Sequence, residues 1–405
     1  MKVLLVGNYE NDGQESMQKF AALMFRGLRQ AGHEARIVKP RAFFSRLPGA
    51  GQGFAKWLGY IDKFGSFPSV LKSMTSWADV VHICDHSNAF YTRYLRHVPH
   101  VVTCHDLLAI RSALGEIPQN QTGWTGRQLQ RLILKGLAQA EHVACVSETT
   151  RRDLLRIVGI PEHRVSRVYN SLNYPYSPMD DKEAASRLRR LGVDPCQSFL
   201  LHVGGNQWYK NRLGVLRTFC NLRSLAKEKT LMLVMVGQPW TSEMRQFVVE
   251  NRMGDSVQEL PGIADDDLRA LYSKASMMVF LSLQEGFGWP IIEAQACGCP
   301  VAAFGRSAMQ EVGGKAAIYV DPDNSWSAAV TLKDALERVA DFRDASLRNA
   351  ARFKSGMIDS YISLYGRVCK EKLEDHALHQ LAIESTPQTL QSENSIEYPS
   401  HHQLG

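Results

Sequence analysis

The stretch Met277-Met-Val-Phe-Leu281-Ser-Leu-Gln-Glu285-Gly-Phe-Gly-Trp-Pro290-Ile-Ile-Glu293-Ala-Gln-Ala-Cys-Gly298-Cys-Pro300-Val301 decides the fold. Met277–Leu281 is a short, continuous apolar run, the pattern of a strand buried on both faces. A turn with two glycines follows. Pro290 then stands where the first turn of a helix tolerates a residue without an N–H. Gly298 and Pro300 close that helix before a second apolar run at Val301–Ala303. Strand, loop, helix and strand in this order make the unit of a parallel α/β sheet. Such sheets bind ligands at their carboxyl edge, where a helix N-terminus and free amides attract phosphate. The amides of Gly286, Phe287 and Gly288 are therefore candidates for a phosphate. Glu285 and Glu293 bracket the same turn and suit sugar hydroxyls, which carboxylates accept well.

The same rhythm runs through residues 1–340. Strands are expected at Val3–Val6, Ala35–Val38, Val80–Ile83, His100–Cys104, Val143–Val146 and Val165–Val168. A second series is expected at Phe199–Val203, Leu231–Val236, Met277–Leu281, Val301–Ala303 and Ile318–Val320. Helical periodicity fills Gln18–Gln30, Arg127–Leu137 and Thr149–Val158. The pattern occurs twice, which predicts an α/β protein of two Rossmann-like, doubly wound domains. The expected boundaries are 1–170, a proline-bearing linker 171–198, and 199–354. A helix follows at 355–379, then a polar tail at 380–405 whose composition suits disorder.

Composition excludes several classes. The 405 residues are 44% hydrophobic and 22% charged, ordinary for a globular protein and unlike collagenous, coiled-coil or wholly disordered chains. No apolar run approaches the roughly 18 residues of a membrane span. The eight cysteines contain no Cys-x-x-Cys pair and mostly lie in apolar stretches, which fits free thiols in a reducing, cytoplasmic setting. Residues 1–179 carry 22 Lys and Arg against 13 Asp and Glu, so the +6 net charge belongs to the first half. Within it, residues 40–77 interleave Arg41, Arg46, Lys56, Lys63 and Lys72 with seven large apolar side chains, among them Phe54, Trp57 and Phe64. That mixture suits either an anionic membrane surface, at the inner face of a membrane, or aromatics packed on the sheet. Nothing points to nucleic acid, and no Gly-x-Gly-x-x-Gly follows Val3–Val6 to suggest a dinucleotide dehydrogenase.

Glu285 and Glu293, with seven residues between them in Glu-Gly-Phe-Gly-Trp-Pro-Ile-Ile-Glu-Ala, resemble the signature of retaining family-4 glycosyltransferases of the GT-B fold. Ser307-Ala-Met-Gln-Glu311-Val-Gly313 and Tyr319-Val-Asp-Pro322 resemble the family's usual sequel. The resemblance implies two domains facing across a cleft, with the C-terminal helix crossing back to the first domain. It implies that Glu285 meets the donor sugar and that Glu293 binds the ribose hydroxyls. The segment Leu201-His-Val-Gly-Gly205-Asn-Gln-Trp-Tyr-Lys210-Asn-Arg212 resembles the family's strand–Gly–Lys segment, so Lys210 would bind the donor diphosphate. Many members place an arginine where Gly205 stands, and Arg212 is the candidate substitute. His105, after the strand Val101–Cys104, resembles the family's histidine that reaches the donor sugar from the first domain. The loop Gly7–Ser16 departs from the usual paired-glycine loop on the acceptor side, where Asp12 and Gln14 are candidates.

The implied reaction moves a hexosyl group from a nucleoside-diphosphate sugar, UDP-glucose or GDP-mannose, to a glycan, lipid-linked or small-molecule acceptor, with retention. No metal and no other cofactor is expected, because basic groups stand where a cation would. Two rivals remain on the same fold: a sugar-nucleotide epimerase or glycosyl phosphorylase, and a catalytically silent sugar-nucleotide-binding subunit.

Overall fold

The computed structural model describes residues 1–44, 58–225 and 230–384. Two parallel six-stranded sheets dominate it. The first contains β1 (Lys2–Val6), β2 (Glu34–Val38), β3 (Val80–Ile83), β4 (His100–Cys104), β5 (His142–Cys145) and β6 (Val165–Arg167), in the order β2-β1-β3-β4-β5-β6. The second contains β7 (Phe199–Gly204), β8 (Met232–Gly237), β9 (Val257–Pro261), β10 (Met277–Phe280), β11 (Val301–Phe304) and β12 (Ala317–Val320), in the order β12-β11-β10-β7-β8-β9. The chain winds outward from β1 to β2 and then restarts on the other flank at β3; it does the same from β7 through β9 to β10. At each reversal the neighbouring connections leave on opposite faces and open a crevice at the carboxyl ends of the strands. Those two crevices, β1/β3 and β7/β10, position everything that follows.

The strands read as apolar runs because helices cover both faces. Val3–Val6, Val80, Val81, Ile83 and Met277–Leu281 are buried throughout. The Glu15–Gln30 helix turns Phe20, Ala21, Met24 and Leu28 to the first sheet, at helical spacing. Ser147 caps the Glu148–Val158 helix by accepting from the Thr150 amide at 3.1 Å. Five of the cysteines are buried, and all eight are free thiols.

Two features differ from expectation, and a third decides between the two readings of residues 40–77 where they are described. β9 was not foreseen: Val257-Gln-Glu-Leu-Pro is an edge strand, half exposed and too polar to resemble its buried neighbours. The last helix runs Met357–Glu384, into the stretch read as a disordered tail; the rest of that tail, 385–405, lies outside the described residues. The segment 40–77 does not present its aromatics as an outward face where it is described. Phe67 and Leu58 are buried, Phe64 packs at 4.6 Å on Phe90, and Lys63 turns to Asp12; Phe43 alone of these is exposed. Burying these rings gains more than exposing them to water, so packing wins. Arg46, Phe54, Lys56 and Trp57 lie outside the described residues. No helix among the described residues is long and apolar enough to cross a membrane.

The last helix lies against the first sheet. Met357, Tyr361, Leu364, Tyr365 and Val368 pack with Phe20, Met24 and Val101 in one core. Two buried tyrosines add polar fixings: Tyr361 Oη meets Thr103 Oγ1 at 2.6 Å, and Tyr365 Oη meets His82 Nδ1 at 2.7 Å.

Candidate functional site

The carboxyl ends of β7 and β10 carry the two strongest sequence motifs to one place. The loop after β7 ends in a short turn, Trp208–Lys210, and the loop after β10 carries Glu285. Their backbones join where the Leu283 amide donates to the Tyr209 carbonyl at 2.7 Å. There Lys210 Nζ meets Glu285 Oε1 at 2.7 Å, with both side chains largely shielded from water. Lys210 Nζ also lies 5.4 Å from the Tyr209 and Phe280 ring centres. The pair thus stands at the second sheet's crevice with its charges held in a poorly screened setting.

Arg212 opens the helix after this loop and is buried. One terminal nitrogen donates to Asn206 Oδ1 and to the Gln238 carbonyl at 2.7 Å. Nε and the other terminal nitrogen have no partner among the described residues, and burial disfavours the charge. A buried guanidinium with idle donors is the arrangement an oxyanion relieves. Gly205 lies in the same loop beside the movable Gln207 amide.

Gly288 adopts a left-handed φ of 93° just before the Trp289–Ala296 helix, and Phe287 is buried against Tyr169 and Phe353. Gly286 also marks a close approach between domains, which its sequence did not suggest. A Cβ there would lie 1.7 Å from the His105 carbonyl oxygen, so the two domains touch backbone to backbone at this residue. Thr150 Oγ1 donates across the same contact, 3.4 Å from the His105 carbonyl and 3.3 Å from that of Gly286.

Glu293 faces inward from its helix and is buried. Tyr272 Oη donates to one oxygen at 3.1 Å and Asn173 Nδ2 to the other at 3.1 Å. Burial raises its carboxyl to about 7, and the two hydrogen bonds pull the other way. His105 is buried edge-on to Phe20 and its Nε2 lies 2.9 Å from the Cys84 carbonyl. A carbonyl only accepts, so Nε2 holds the proton; burial lowers the imidazole's pKa despite Asp85 nearby. Neutral His105 therefore offers Nδ1 as an acceptor.

The two acceptor-side candidates do not join this cluster. Asp12 is held by Lys63 at 2.6 Å, and Gln14 accepts from Asn8 Nδ2 at 2.6 Å. Asn8 in turn donates to buried Asp85 at 2.6 Å, and His86 Nδ1 lies 3.1 Å from the same carboxylate. This Asn8–Asp85–His86 group sits at the β1/β3 crevice, yet its sequence carries no recognisable motif; only the switch in strand order locates it. Glu311 was also not foreseen as a tie between domains. It accepts from the Glu148 amide at 2.8 Å, capping a first-domain helix, and from Tyr169 Oη at 2.7 Å. Lys19–Asp265, at 2.8 Å, closes the cleft elsewhere. A cavity bordered by Asp106, Arg111, Glu285 and Ser307 holds about 40 Å³. That is well below the roughly 300–1,000 Å³ of a small-molecule site.

Residues 17–174 match the family model Glycosyltransferase Family 4, and residues 188–352 match Glycosyl transferases group 1. The chain belongs to these glycosyltransferases. An O-antigen chain mannosyltransferase of Salmonella typhimurium is 28% identical over 217 residues, 51% of this chain and 56% of the relative. O-antigen chain mannosyltransferase B of Escherichia coli is 24% identical over 270 residues, 65% of this chain and 71% of the relative. The chain thus spans little more than half the length of the first relative. The crystal structure of Anabaena HepE in complex with UDP and glucose superposes with a TM-score of 0.67 at 14% identity, covering 93% of this chain and 99% of that one. The architecture is the GT-B fold of this glycosyltransferase family.

Proposed function

We propose that this glycosyltransferase moves a hexosyl group from a nucleoside-diphosphate sugar to a hydroxyl of a glycan or lipid-linked acceptor, with retention. The observation that carries the proposal is the Lys210–Glu285 pair at the β7/β10 crevice, with the idle donors of Arg212 in the helix beyond it. Lys210 and Arg212 supply positive charge for a diphosphate, so the reading needs no metal. Glu285 accepts hydroxyls of the donor sugar, and Glu293 accepts those of the ribose. The amides of Phe287 and Gly288 lie at the start of a helix, where its dipole favours phosphate. In the transfer step the bond from the sugar C1 to the diphosphate oxygen breaks. The acceptor oxygen bonds C1 on the same face, and its proton passes to the departing diphosphate. The two mannosyltransferase relatives support a mannosyl donor, and the HepE complex supports testing UDP-glucose beside GDP-mannose.

Thermal shifts with a panel of nucleotide sugars test the reading. The true donor at a hundredfold excess over its dissociation constant stabilises the protein by about 2.7 kcal/mol; no shift with any member overturns it. Glu293→Gln weakens donor binding tenfold or more, because charge-assisted hydrogen bonds of about 1.5–3 kcal/mol are lost. In the wild type, affinity rises as pH passes upward through about 7, since only the carboxylate accepts ribose hydroxyls well. The unliganded protein shows the opposite slope. A carboxyl raised above its usual 4.5 contributes stability that is complete below that value and lost as pH climbs through 7. Both slopes flatten in Glu293→Gln; a pH-independent wild type would refute the assignment.

His105→Ala tests the cross-cleft contact. One lost hydrogen bond, about 0.5–1.5 kcal/mol, lowers transfer severalfold and leaves UDP or GDP affinity near normal. Equal losses in both would make His105 a purely structural residue.

A further inference from the structure

The Trp124–Gln139 helix buries only one side. Ile133, Gly136 and Leu137 face the core, and the Gly136 carbonyl accepts from Thr92 Oγ1 at 3.0 Å, fixing the helix against the His86–Tyr94 turn. At about 3.6 residues per turn, Trp124, Arg127, Arg131 and Lys135 fall on the opposite side, with Leu132 on its flank. All five are exposed, Trp124 by 74%. Arg127 donates to the Thr122 carbonyl and Arg131 to the Gln128 amide oxygen, both neutral groups. From Ile117 to Ala140 the chain has neither Asp nor Glu. This is a stripe of positive charge with no ion pair among the described residues, beside an exposed indole and an exposed leucine.

We infer that this helix face docks on an anionic lipid bilayer. Its cations meet headgroup phosphates, and Trp124 and Leu132 enter the boundary between headgroups and acyl chains. A nucleic acid would match the charge but not the exposed leucine, and a solvated helix of this length would carry acidic residues among the basic ones. The geometry also points the surface usefully. In a strand–helix–strand crossover the helix begins at the carboxyl edge of the sheet, so Trp124 lies toward the same edge as His105. A lipid-linked acceptor in that bilayer would have its sugar end near the cleft. That last consequence rests on the transfer reading; the membrane contact does not.

The test is sedimentation of the full chain with phosphatidylcholine vesicles, with and without phosphatidylglycerol, at low and high salt. The wild type partitions onto the anionic vesicles and is released by salt. Arg127→Glu/Arg131→Glu/Lys135→Glu lowers partitioning by about a hundredfold or more, since each cation near the surface is worth about fivefold. Trp124→Ala lowers it severalfold with its salt dependence intact. Unchanged melting and unchanged nucleotide shifts show that the variants are folded. Equal binding to neutral vesicles, no binding, or wild-type partitioning by the triple variant overturns the proposal. So does tighter binding to a DNA duplex that the triple variant abolishes. Failure of the nucleotide-sugar panel would be a separate result, confined to the transfer reading.

Discussion

Lys210→Ala lowers transfer by two to three orders of magnitude, the usual cost of removing one preorganised group that meets charge developing in a transition state. Nucleotide affinity falls less, because the leaving diphosphate gains charge only as the bond breaks. The substitution also leaves Glu285, only 10% exposed, without its cation, so the variant melts earlier than the wild type. Lys210→Ala/Glu285→Gln removes the orphaned charge as well. It recovers the melting temperature and not the activity, which separates the two effects. A Lys210→Ala enzyme with normal turnover and only a raised donor KM would assign the lysine to uniform binding instead.

Gly286→Ala has the second large effect. The new methyl group would sit 1.7 Å from the His105 carbonyl oxygen and 2.7 Å from its carbon, and both are backbone atoms that no rotamer change can move. The domains must part by an ångström or more. Misplacement on that scale costs about a hundredfold in rate when two halves of a site must align. The residues read as binding the nucleotide, Lys210, Arg212 and Glu293, belong to the second domain, so nucleotide binding survives while transfer falls about a hundredfold. Full transfer in Gly286→Ala would mean that the domains do not need this contact to react.

The doubly wound architecture was legible because buried parallel strands announce themselves as apolar runs, and Val3–Val6 or Met277–Leu281 allow few other readings. β9 escaped because an edge strand keeps one side in water and so carries Gln258 and Glu259. The motif residues Lys210 and Glu285 were each found, but their direct pairing was not, since 75 positions separate them and only the β7/β10 reversal unites their loops. The partners of Glu293 were invisible for the same reason: Asn173 comes from the connection between domains and Tyr272 from another helix. The close approach at Gly286 could not be read at all. A glycine before a helix suggests a ligand or a turn, and here it also admits a carbonyl from another domain.

The return of the last helix to the first sheet bears on how the chain is made. β6 ends at Arg167, yet the core beneath β1, β3 and β4 is completed by Tyr361, Leu364 and Tyr365. During synthesis at about 5–20 residues per second, the first six strands wait roughly 10–40 s for those side chains. Until then His82 and Thr103 lack their tyrosine partners, and one apolar face of the sheet is covered only in part, by the Glu15–Gln30 helix. The second domain, whose strands lie between β6 and this helix, emerges whole within that interval. The half made first is thus finished last, so truncations before Met357 would harm the N-terminal half more than the domain they adjoin.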